Sequence, residues 1–321
     1  MQTKRLGRTG PEIPPIVLGG NVYGWTLNEA DSLHQLDRAV EAGLNFIDTA
    51  DVYSKWIPGH IGGESESILG KWFKRSGRRK DVTLATKVGI DMGDGKKGLG
   101  AKYIRQAAED SLRRLQSDYI DLYYAHIDDP ATPLEETLGA FDELIKAGKV
   151  RYIGASNYSG ARLAESFETS ARNGLTAYTS LQPQYNLVER AGFENDLLPV
   201  VRKYGIGVTP YFSLAAGFLT GKYRQGSDTA GAARGQMVQK YLNERGLAVV
   251  DALDEVAKAH GATPARVALA WLLHKPGITA PIASATSDRQ LDDLVAAASL
   301  KLDPASIQRL DAASAPASQP A

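Results

Sequence analysis

Two kinds of hydrophobic pattern alternate along the chain. Short runs of β-branched and other apolar residues recur, and amphipathic stretches of helical length separate them. In the stretch 101–115, for example, apolar residues share one helical face and charged residues fill the other. The predicted strands are an entry strand near 15–19, then 45–47, 82–86, 120–125, 150–155, 179–182, 206–211 and 278–282; the predicted helices are about 29–42, 64–75, 101–115, 133–147, 159–173, 194–204 and 288–298. Regular alternation of strand and helix predicts a parallel sheet.

The spacing of the strand ends selects the topology. Asp48, Lys87 and His126 each close a strand-like run, and they are evenly spaced along the chain. Each interval has room for one strand, one helix and their loops, and the entry strand brings the number of strands to eight. The sequence therefore predicts an α/β fold, a (β/α)8 TIM barrel. Residues 3–13, ahead of the first strand, fit a β-hairpin plug with a Thr-Gly turn.

A long loop interrupts the regular pattern after the seventh strand. The stretch 212–246 is Gly-rich and charged, and two extra helices near 247–260 and 264–274 follow it before the last strand. A loop of this length in a compact domain is usually functional. We expect residues 1–312 to form one barrel and the small, uncharged tail 313–321 to be disordered.

Composition narrows the classes of function. Lys plus Arg and Asp plus Glu both number 37, and this balance does not favour binding to nucleic acid or to an anionic membrane. The absence of cysteine excludes disulfides, thiol nucleophiles and thiolate metal sites, and the five histidines lack metal-ligand spacing, so we expect no metal. No apolar run approaches the roughly 18 residues of a membrane span. Because the first fifteen residues also lack a signal-peptide core, we expect a cytoplasmic protein.

Four chemically distinct side chains are expected at the mouth of the barrel. Catalytic groups of such barrels lie at the carboxyl ends of the strands, where Asp48, Lys87 and His126 are placed, and Tyr53 follows on the loop after Asp48. Together they make an acid–base group. The pKa of a free tyrosine is about 10; a nearby ammonium favours the phenolate and burial opposes it, so the proton donor can be tuned. Taken alone, Lys87 and Asp48 also fit a structural ion pair.

Several separate motifs resemble those of the aldo-keto reductases. They are GLNFIDTADVYSKW and GGESESILGKW within 43–72, TLATKVG at 83–89, DYIDLYYAH at 118–126, GKVRYIGASNYS at 148–159, LQPQYN at 181–186 and SLAAGFLTGKY at 213–223. The resemblance runs from about residue 3 to 311, and it is to the bacterial branch that is also similar to voltage-gated potassium channel β subunits. It implies an NADPH-dependent reductase of aldehydes or ketones to alcohols, in which hydride leaves nicotinamide C4.

The resemblance also implies roles for the four mouth residues. Tyr53 would be the general acid that gives its proton to the carbonyl oxygen. Lys87 and Asp48 would form a buried pair that lowers the pKa of Tyr53. His126 would donate a hydrogen bond to the carbonyl oxygen and orient the substrate.

At the nicotinamide end, the resemblance assigns Ser156, Asn157 and Gln182 to the carboxamide and Tyr211 to stacking under the ring. Gly20 and Asn21, in the loop after the first strand, would contact the cofactor. Asp48 would also contact the cofactor. For Ser156 and Asn157 the alternative is a helix N-cap, which both residue types favour.

At the adenosine end, the long loop is expected to wrap the pyrophosphate through backbone N–H groups and side chains. The residues assigned to this loop are Phe212, Ser213, Leu214, Gly217 and Lys222, and Arg234 matches a family arginine that reaches the 2′-phosphate. The segment 281–294 resembles the family's 2′-phosphate site, with Ser284, Thr286 and Gln290 at the contact positions and Asp293 where an acidic residue meets adenine. Many NADP-preferring relatives carry Arg or Lys at the position of Ser284 or Thr286, and this chain has neither. Because of Arg234, NADPH remains the favoured cofactor, and the missing Arg or Lys makes NADH use plausible.

The substrate and the biological role stay more open. The predicted pocket is lined by Tyr23, Trp25, Trp56, His126, Asp128 and Asp129. An aromatic wall with two acidic groups suits a polyhydroxylated or bulky ring ketone as well as a simple aldehyde. Two alternatives remain: a cofactor-binding, redox-sensing regulatory subunit with slow turnover, and a sugar-phosphate barrel enzyme, which the four mouth residues disfavour. The oligomeric state is left open.

Overall fold

The computed structural model describes residues 1–224, 226, 227, 231 and 233–316. A two-stranded antiparallel hairpin, β1 (Lys4–Arg5) and β2 (Glu12–Ile13), opens the chain, as predicted. Leu6 and Ile13 are fully buried and pack with side chains of the barrel interior. The hairpin therefore plugs the end of the barrel from which the strands begin.

Eight parallel strands form the predicted (β/α)8 barrel. They are β3 (Val17–Gly19), β4 (Phe46–Asp48), β5 (Thr83–Val88), β6 (Ile120–Ala125), β7 (Val150–Ser156), β8 (Ser180–Gln182), β9 (Gly207–Val208) and β10 (Ile282–Ala283). They pair in the order β10-β3-β4-β5-β6-β7-β8-β9. The first and last strands along the chain are thus neighbours, which brings distant segments of sequence to the same part of the mouth.

The barrel closes between β9 and the segment that leads into β10. Thr279 N donates to Val208 O at 2.9 Å, and Ile282 N donates to Pro210 O at 2.9 Å. Both strands are shorter than the sequence predicts. Pro210 and Pro281 have no N–H to donate, so they interrupt a regular ladder at this seam.

Helices cover the outside of the barrel. They are α1 (Glu29–Glu41), α2 (Glu64–Ser76), α3 (Ala101–Leu115), α4 (Leu134–Lys146), α5 (Gly160–Asn173), α6 (Leu198–Tyr204), α7 (Gly235–Gln239), α8 (Glu244–Ala259), α9 (Pro264–His274), α10 (Asp288–Ala297) and α11 (Pro304–Ala313). The predicted helix 194–204 begins instead with a π-helical segment, Gly192–Leu197, and α6 continues it. Within the described residues, no helix is of a length and apolarity that would let it cross a membrane.

Two helices lie outside the predicted pattern. The short α7 falls inside the long loop, and α11 follows the last barrel helix. The Asp303 side chain accepts a hydrogen bond from Ser306 N and Pro304 occupies the first turn, so α11 has the local signals of a helix start. Residues 317–321 of the predicted tail lie outside the described part of the chain.

Candidate active site

The alternation of side chains along the strands brings the predicted catalytic residues together. Successive residues of a strand point to opposite faces, so a residue two positions after an inward-facing one also faces inward. The pairs that follow this rule are Phe46 with Asp48, Ala85 with Lys87, and Tyr124 with His126, and the first member of each lies in the apolar interior of the barrel. The second members therefore meet at the mouth.

Lys87 is at the centre of this group and is fully buried. Its Nζ donates to Asp48 Oδ2 at 2.7 Å, to Thr49 O at 2.7 Å and to the Tyr53 hydroxyl at 2.9 Å. The Tyr53 hydroxyl in turn donates to Asp48 Oδ2 at 3.2 Å. The His126 ring lies edge-on to the Tyr53 ring, with 6.1 Å between their centroids. The four residues thus form one connected acid–base cluster.

Burial sets the ionisation of the cluster. Burial, followed by the negative charge of Asp48, raises the pKa of Tyr53 well above its usual value. The resemblance implies instead that the pKa of Tyr53 is lowered. This would require the effect of the Lys87 ammonium to outweigh the effect of burial. Burial also lowers the pKa of Lys87, against the opposing effect of Asp48. Burial and the Lys87 charge hold the pKa of His126 well below its usual range, so the imidazole is neutral. Tyr53 therefore keeps its proton at neutral pH.

A chain of hydrogen bonds links the cluster to the predicted nicotinamide residues. Gln182 Nε2 donates to Asp48 Oδ1 at 2.8 Å, and Ser156 Oγ donates to Gln182 O at 2.8 Å. Asn157 adopts a left-handed conformation, with φ of 56°, and its side-chain oxygen accepts from the Tyr211 hydroxyl at 2.8 Å. The side chain that caps α5 is Ser159, so the N-cap interpretation of Ser156 and Asn157 is wrong.

A cleft of about 1110 Å³ runs from this cluster to α10. It is lined by every predicted cofactor residue except Gly20: Asn21, Asp48, Ser156, Asn157, Gln182, Tyr211, Phe212, Ser213, Leu214, Gly217, Lys222, Arg234, Ser284, Thr286, Gln290 and Asp293. Gly20 is buried beside the cleft, and its carbonyl accepts from Ser65 Oγ at 2.7 Å. Its neighbour Gly19 lines the cleft and has a steric role, because a Cβ there would lie 2.5 Å from Ser284 Oγ.

The loop after β9 forms one wall of the cleft with an unusual backbone. Phe212, Ala215, Ala216 and Gly217 all have positive φ values, between 48° and 97°. Consecutive N–H groups in left-handed and turn conformations form concave sites for anions. Asn186 Nδ2 donates to Phe212 O at 2.9 Å and fixes the start of this loop. The geometry is compatible with a phosphate group against the backbone.

The end of the cleft at α10 contains one basic residue, Arg289, that the sequence did not single out. Thr286 N and Oγ1 both donate to Gln290 Oε1, at 2.8 and 3.1 Å. Asp293 accepts from Arg266 Nε at 2.6 Å, so its carboxylate is already paired. Arg289 lines the cleft and has no ion pair among the described residues. Its position in the first turn of α10, next to Gln290, was the signal available in the sequence.

Arg234 lies at the end of the cleft that contains Tyr53. Its guanidinium Cζ is 5.1 Å from the centroid of the Trp25 ring, and its positive charge acts to lower the pKa of Tyr53. Burial lowers the pKa of Arg234 itself. The segments next to Arg234 include residues 225, 228–230 and 232, which are outside the described part of the chain.

The predicted substrate residues separate into two groups. Besides His126, Trp56 lines the cleft; it is 47% exposed, and the Trp25 ring packs edge-on against it at 5.3 Å. Tyr23 is fully buried and its hydroxyl donates to Gln35, so the prediction that it faces substrate is wrong.

The predicted acidic wall is also wrong. Asp128 pairs with Arg162 at 2.9 Å. Asp129 accepts hydrogen bonds from Leu99 N at 2.8 Å and Thr132 Oγ1 at 2.7 Å. Both carboxylates stabilise the loop after β6, and neither lines the cleft. The walls that remain near Tyr53 are aromatic.

Comparison with known proteins agrees with this geometry. Residues 15–315 match the family model described as the aldo/keto reductase family. The chain is 36% identical to the uncharacterized oxidoreductase YrpG of Bacillus subtilis, over 94% of this chain and 93% of that protein. It is 34% identical to a probable voltage-gated potassium channel subunit beta of Oryza sativa, over 91% and 89% of the two chains. It is 32% identical to protein tas of Escherichia coli, over 94% of each chain.

Proposed function

Because the chain belongs to the aldo/keto reductase family, and is on that ground an oxidoreductase, we propose that it reduces aldehydes or ketones to alcohols with NADPH. The observation that carries this proposal is the Tyr53 hydroxyl. It lies 2.9 Å from Lys87 Nζ and 3.2 Å from Asp48 Oδ2, at one end of the long cleft. A protonated phenol held there is suited to general acid catalysis.

The lining of the cleft fits a nicotinamide dinucleotide. Amide and hydroxyl groups are concentrated near Tyr53, as a carboxamide requires, and the left-handed loop 212–217 is suited to a pyrophosphate. Basic side chains that line the cleft are Lys222, Arg234 and Arg289. Arg289, by its position on α10, is the better placed partner of a 2′-phosphate. Arg234, which the resemblance assigns to that phosphate, lies beside Trp25 near Tyr53. When bound, the cofactor supplies the hydride.

The chain's own residues supply the proton and the orientation. We propose that the carbonyl oxygen lies between the Tyr53 hydroxyl and His126, which line the same end of the cleft. Neutral His126 donates a hydrogen bond and Tyr53 transfers its proton as the alcohol forms. Lys87 then stabilises the phenolate that remains on Tyr53, because an ammonium favours the charged form of a neighbouring acid. Trp56 lines this end of the cleft and Trp25 packs against it, so one wall of the proposed substrate site is aromatic.

A second candidate function is a cofactor-binding regulatory subunit with slow turnover. The similarity to a probable potassium channel subunit beta favours it, since that relative matches over most of both chains. The two functions use the same residues and differ in rate.

Steady-state turnover separates these functions. The purified protein is assayed for NADPH oxidation with a panel of aromatic and aliphatic aldehydes and ketones. An enzyme is expected to reach a kcat of about 1–1000 per second on a good substrate. Turnover that stays far below one per second on every carbonyl, together with tight NADPH binding, would favour the regulatory role instead.

A further inference from the structure

Asp51 lies between two residues of the catalytic cluster and has no role in the mechanism above. It is on the loop after β4, between Asp48 and Tyr53, and its side chain is 2% exposed. Neither carboxyl oxygen has a hydrogen-bond partner in the described structure. Its backbone N–H donates to Lys87 O at 3.4 Å, so the residue is attached to the end of β5. A buried carboxyl without partners is costly if it is charged.

The charges around Asp51 are already balanced without it. Lys87 pairs with Asp48 at 2.7 Å. Arg114 Nε pairs with Glu66 Oε2 at 2.6 Å, and Thr86 Oγ1 donates to the other oxygen of Glu66. One buried cation, Lys87, and one half-buried cation, Arg114, therefore serve two carboxylates, and Asp51 is a third carboxyl with no ion-pair partner among the described residues.

The groups that interact electrostatically with Asp51 come from every side of the site. They are Lys87 on β5, Glu66 on α2, Arg114 and Tyr103 on α3, and Tyr123 on β6. Burial, followed by the charge of Glu66, raises the pKa of Asp51 to about 8. The charge of Arg114, the backbone N–H of Val52 and the charge of Lys87 oppose this rise. Tyr123 also has a buried hydroxyl with no partner among the described residues.

We propose that Asp51 is a positioning residue of the reduction, which acts through Lys87 by staying protonated while the enzyme works. This inference rests on the roles proposed for Tyr53 and Lys87. While Asp51 is neutral, the Lys87 ammonium interacts with Asp48 and Tyr53 without a competing negative charge from Asp51. An ionised Asp51 adds a negative charge near Lys87, which opposes formation of the Tyr53 phenolate and makes Tyr53 a poorer proton donor. Deprotonation of Asp51 thus slows reduction at alkaline pH.

The first test is the pH profile of kcat for Asp51→Asn, which keeps the size of the side chain and removes its titration. At about pH 6.5 we expect the variant to keep kcat within about twofold of wild type. Near pH 9 the wild type has lost activity through a single ionisation near pH 8, so the variant is expected to be up to about tenfold faster. Asp91→Asn, a change at an exposed carboxylate, is the matched control and should leave the profile unchanged.

The second test does not depend on turnover. Because the pKa of Asp51 is raised from 3.8 to about 8 by folding, the folded chain holds one more proton than the unfolded chain between these pH values. Wild-type stability therefore falls as pH rises through this window and levels off above it. Relative to wild type, Asp51→Asn should gain in Tm from about pH 5 to pH 8. If the variant does not fold, infrared difference spectra of the wild type report the same event as loss of a protonated carboxyl band near pH 8.

The outcomes separate the hypotheses. A Tm difference that does not depend on pH, or the absence of a protonated carboxyl band at neutral pH, would show that Asp51 is ionised, and the proposal would fail. A changed Tm profile with an unchanged kcat profile would reduce Asp51 to a structural group, which also overturns it. Failure of the proposed function would be seen instead as turnover that stays far below about one per second on every carbonyl tested, which leaves the Tm measurement untouched.

Discussion

At the scale of single residues, the proposed chemistry depends most on Tyr53. The phenol acts only when a proton moves, so Tyr53→Phe should lower kcat and leave NADPH affinity nearly intact. General acid catalysis typically contributes about 10²–10⁴-fold, and we expect a loss of kcat of that size on a good aldehyde. Stopped-flow turnover and fluorescence titration of NADPH measure the two quantities. A variant that keeps more than about half of wild-type kcat would contradict the assignment of Tyr53.

Lys87 is expected to act through Tyr53 and not on the substrate. Lys87→Met removes the positive charge 2.9 Å from the hydroxyl, so the phenolate is less stable and the pKa of Tyr53 rises further. We expect turnover to fall strongly. The basic limb of the pH–rate profile, which we assign to Asp51, should move to higher pH, because Lys87 also lowers the pKa of Asp51. A near-normal rate with an unchanged profile would leave Lys87 with a purely structural role, as the partner of Asp48.

Individual positions differed in how well the sequence predicted them. Asp48, Lys87 and His126 were predictable because strand ends and the two-residue alternation place them on one face. Asp128 and Asp129 were not, because their partners depend on how separate loops meet in space. The direction of the Tyr53 pKa was also missed, since the degree of burial cannot be obtained from spacing.

At the scale of elements, hydrophobic periodicity identified the long helices and central strands well. The predicted helix 101–115 coincides with α3 (Ala101–Leu115), and the predicted strand 120–125 coincides with β6 (Ile120–Ala125). Prediction was poorest where packing and proline override the local pattern. Strand β10 is only two residues long, and the predicted helix 194–204 starts with a π-helical segment.

The long loop and the last barrel helix give a prediction about cofactor choice. If Arg234 holds the 2′-phosphate, as the resemblance implies, Arg234→Ala should weaken NADPH by roughly 1.5–3 kcal/mol and leave NADH almost unchanged. That is a loss of about tenfold to a hundredfold. Thr286→Arg should tighten NADPH selectively.

Fluorescence titrations of NADPH and NADH measure these affinities in Arg234→Ala and Thr286→Arg. The same titrations on Arg289→Ala show which element supplies the positive charge for the 2′-phosphate. Arg234 packs over Trp25 near Tyr53, whereas Arg289 is next to Gln290 on α10. A selective loss of NADPH in Arg289→Ala with little change in Arg234→Ala would assign the phosphate to α10. Equal losses of NADPH and NADH in Arg234→Ala would show that this arginine supports the loop or the pyrophosphate, and the resemblance would no longer support its role in NADP specificity.

At the scale of the whole molecule, the cleft joins segments from both ends of the sequence. Strand β10 pairs with β3, and just after these two strands Ser284 Oγ donates to Asn21 Oδ1 at 2.7 Å. The loop after β9 completes the cleft beside the place where the barrel closes. A ligand that fills the cleft therefore contacts both sides of the seam and binds the folded chain only. We expect NADPH to stabilise the molecule as a unit.

The size of this effect follows from mass action. At a free NADPH concentration of 100 times Kd, the free energy of unfolding should rise by about 2.7 kcal/mol, and Tm by several degrees.

Gly217→Val tests whether the loop after β9 takes part in this stabilisation, because Gly217 lines the cleft with φ of 97°, a conformation that strains a β-branched residue. This variant should lose most of the NADPH-induced rise in Tm. Thermal scans with and without NADPH measure it, and an undiminished rise in Gly217→Val would show that the dinucleotide does not follow the loop after β9.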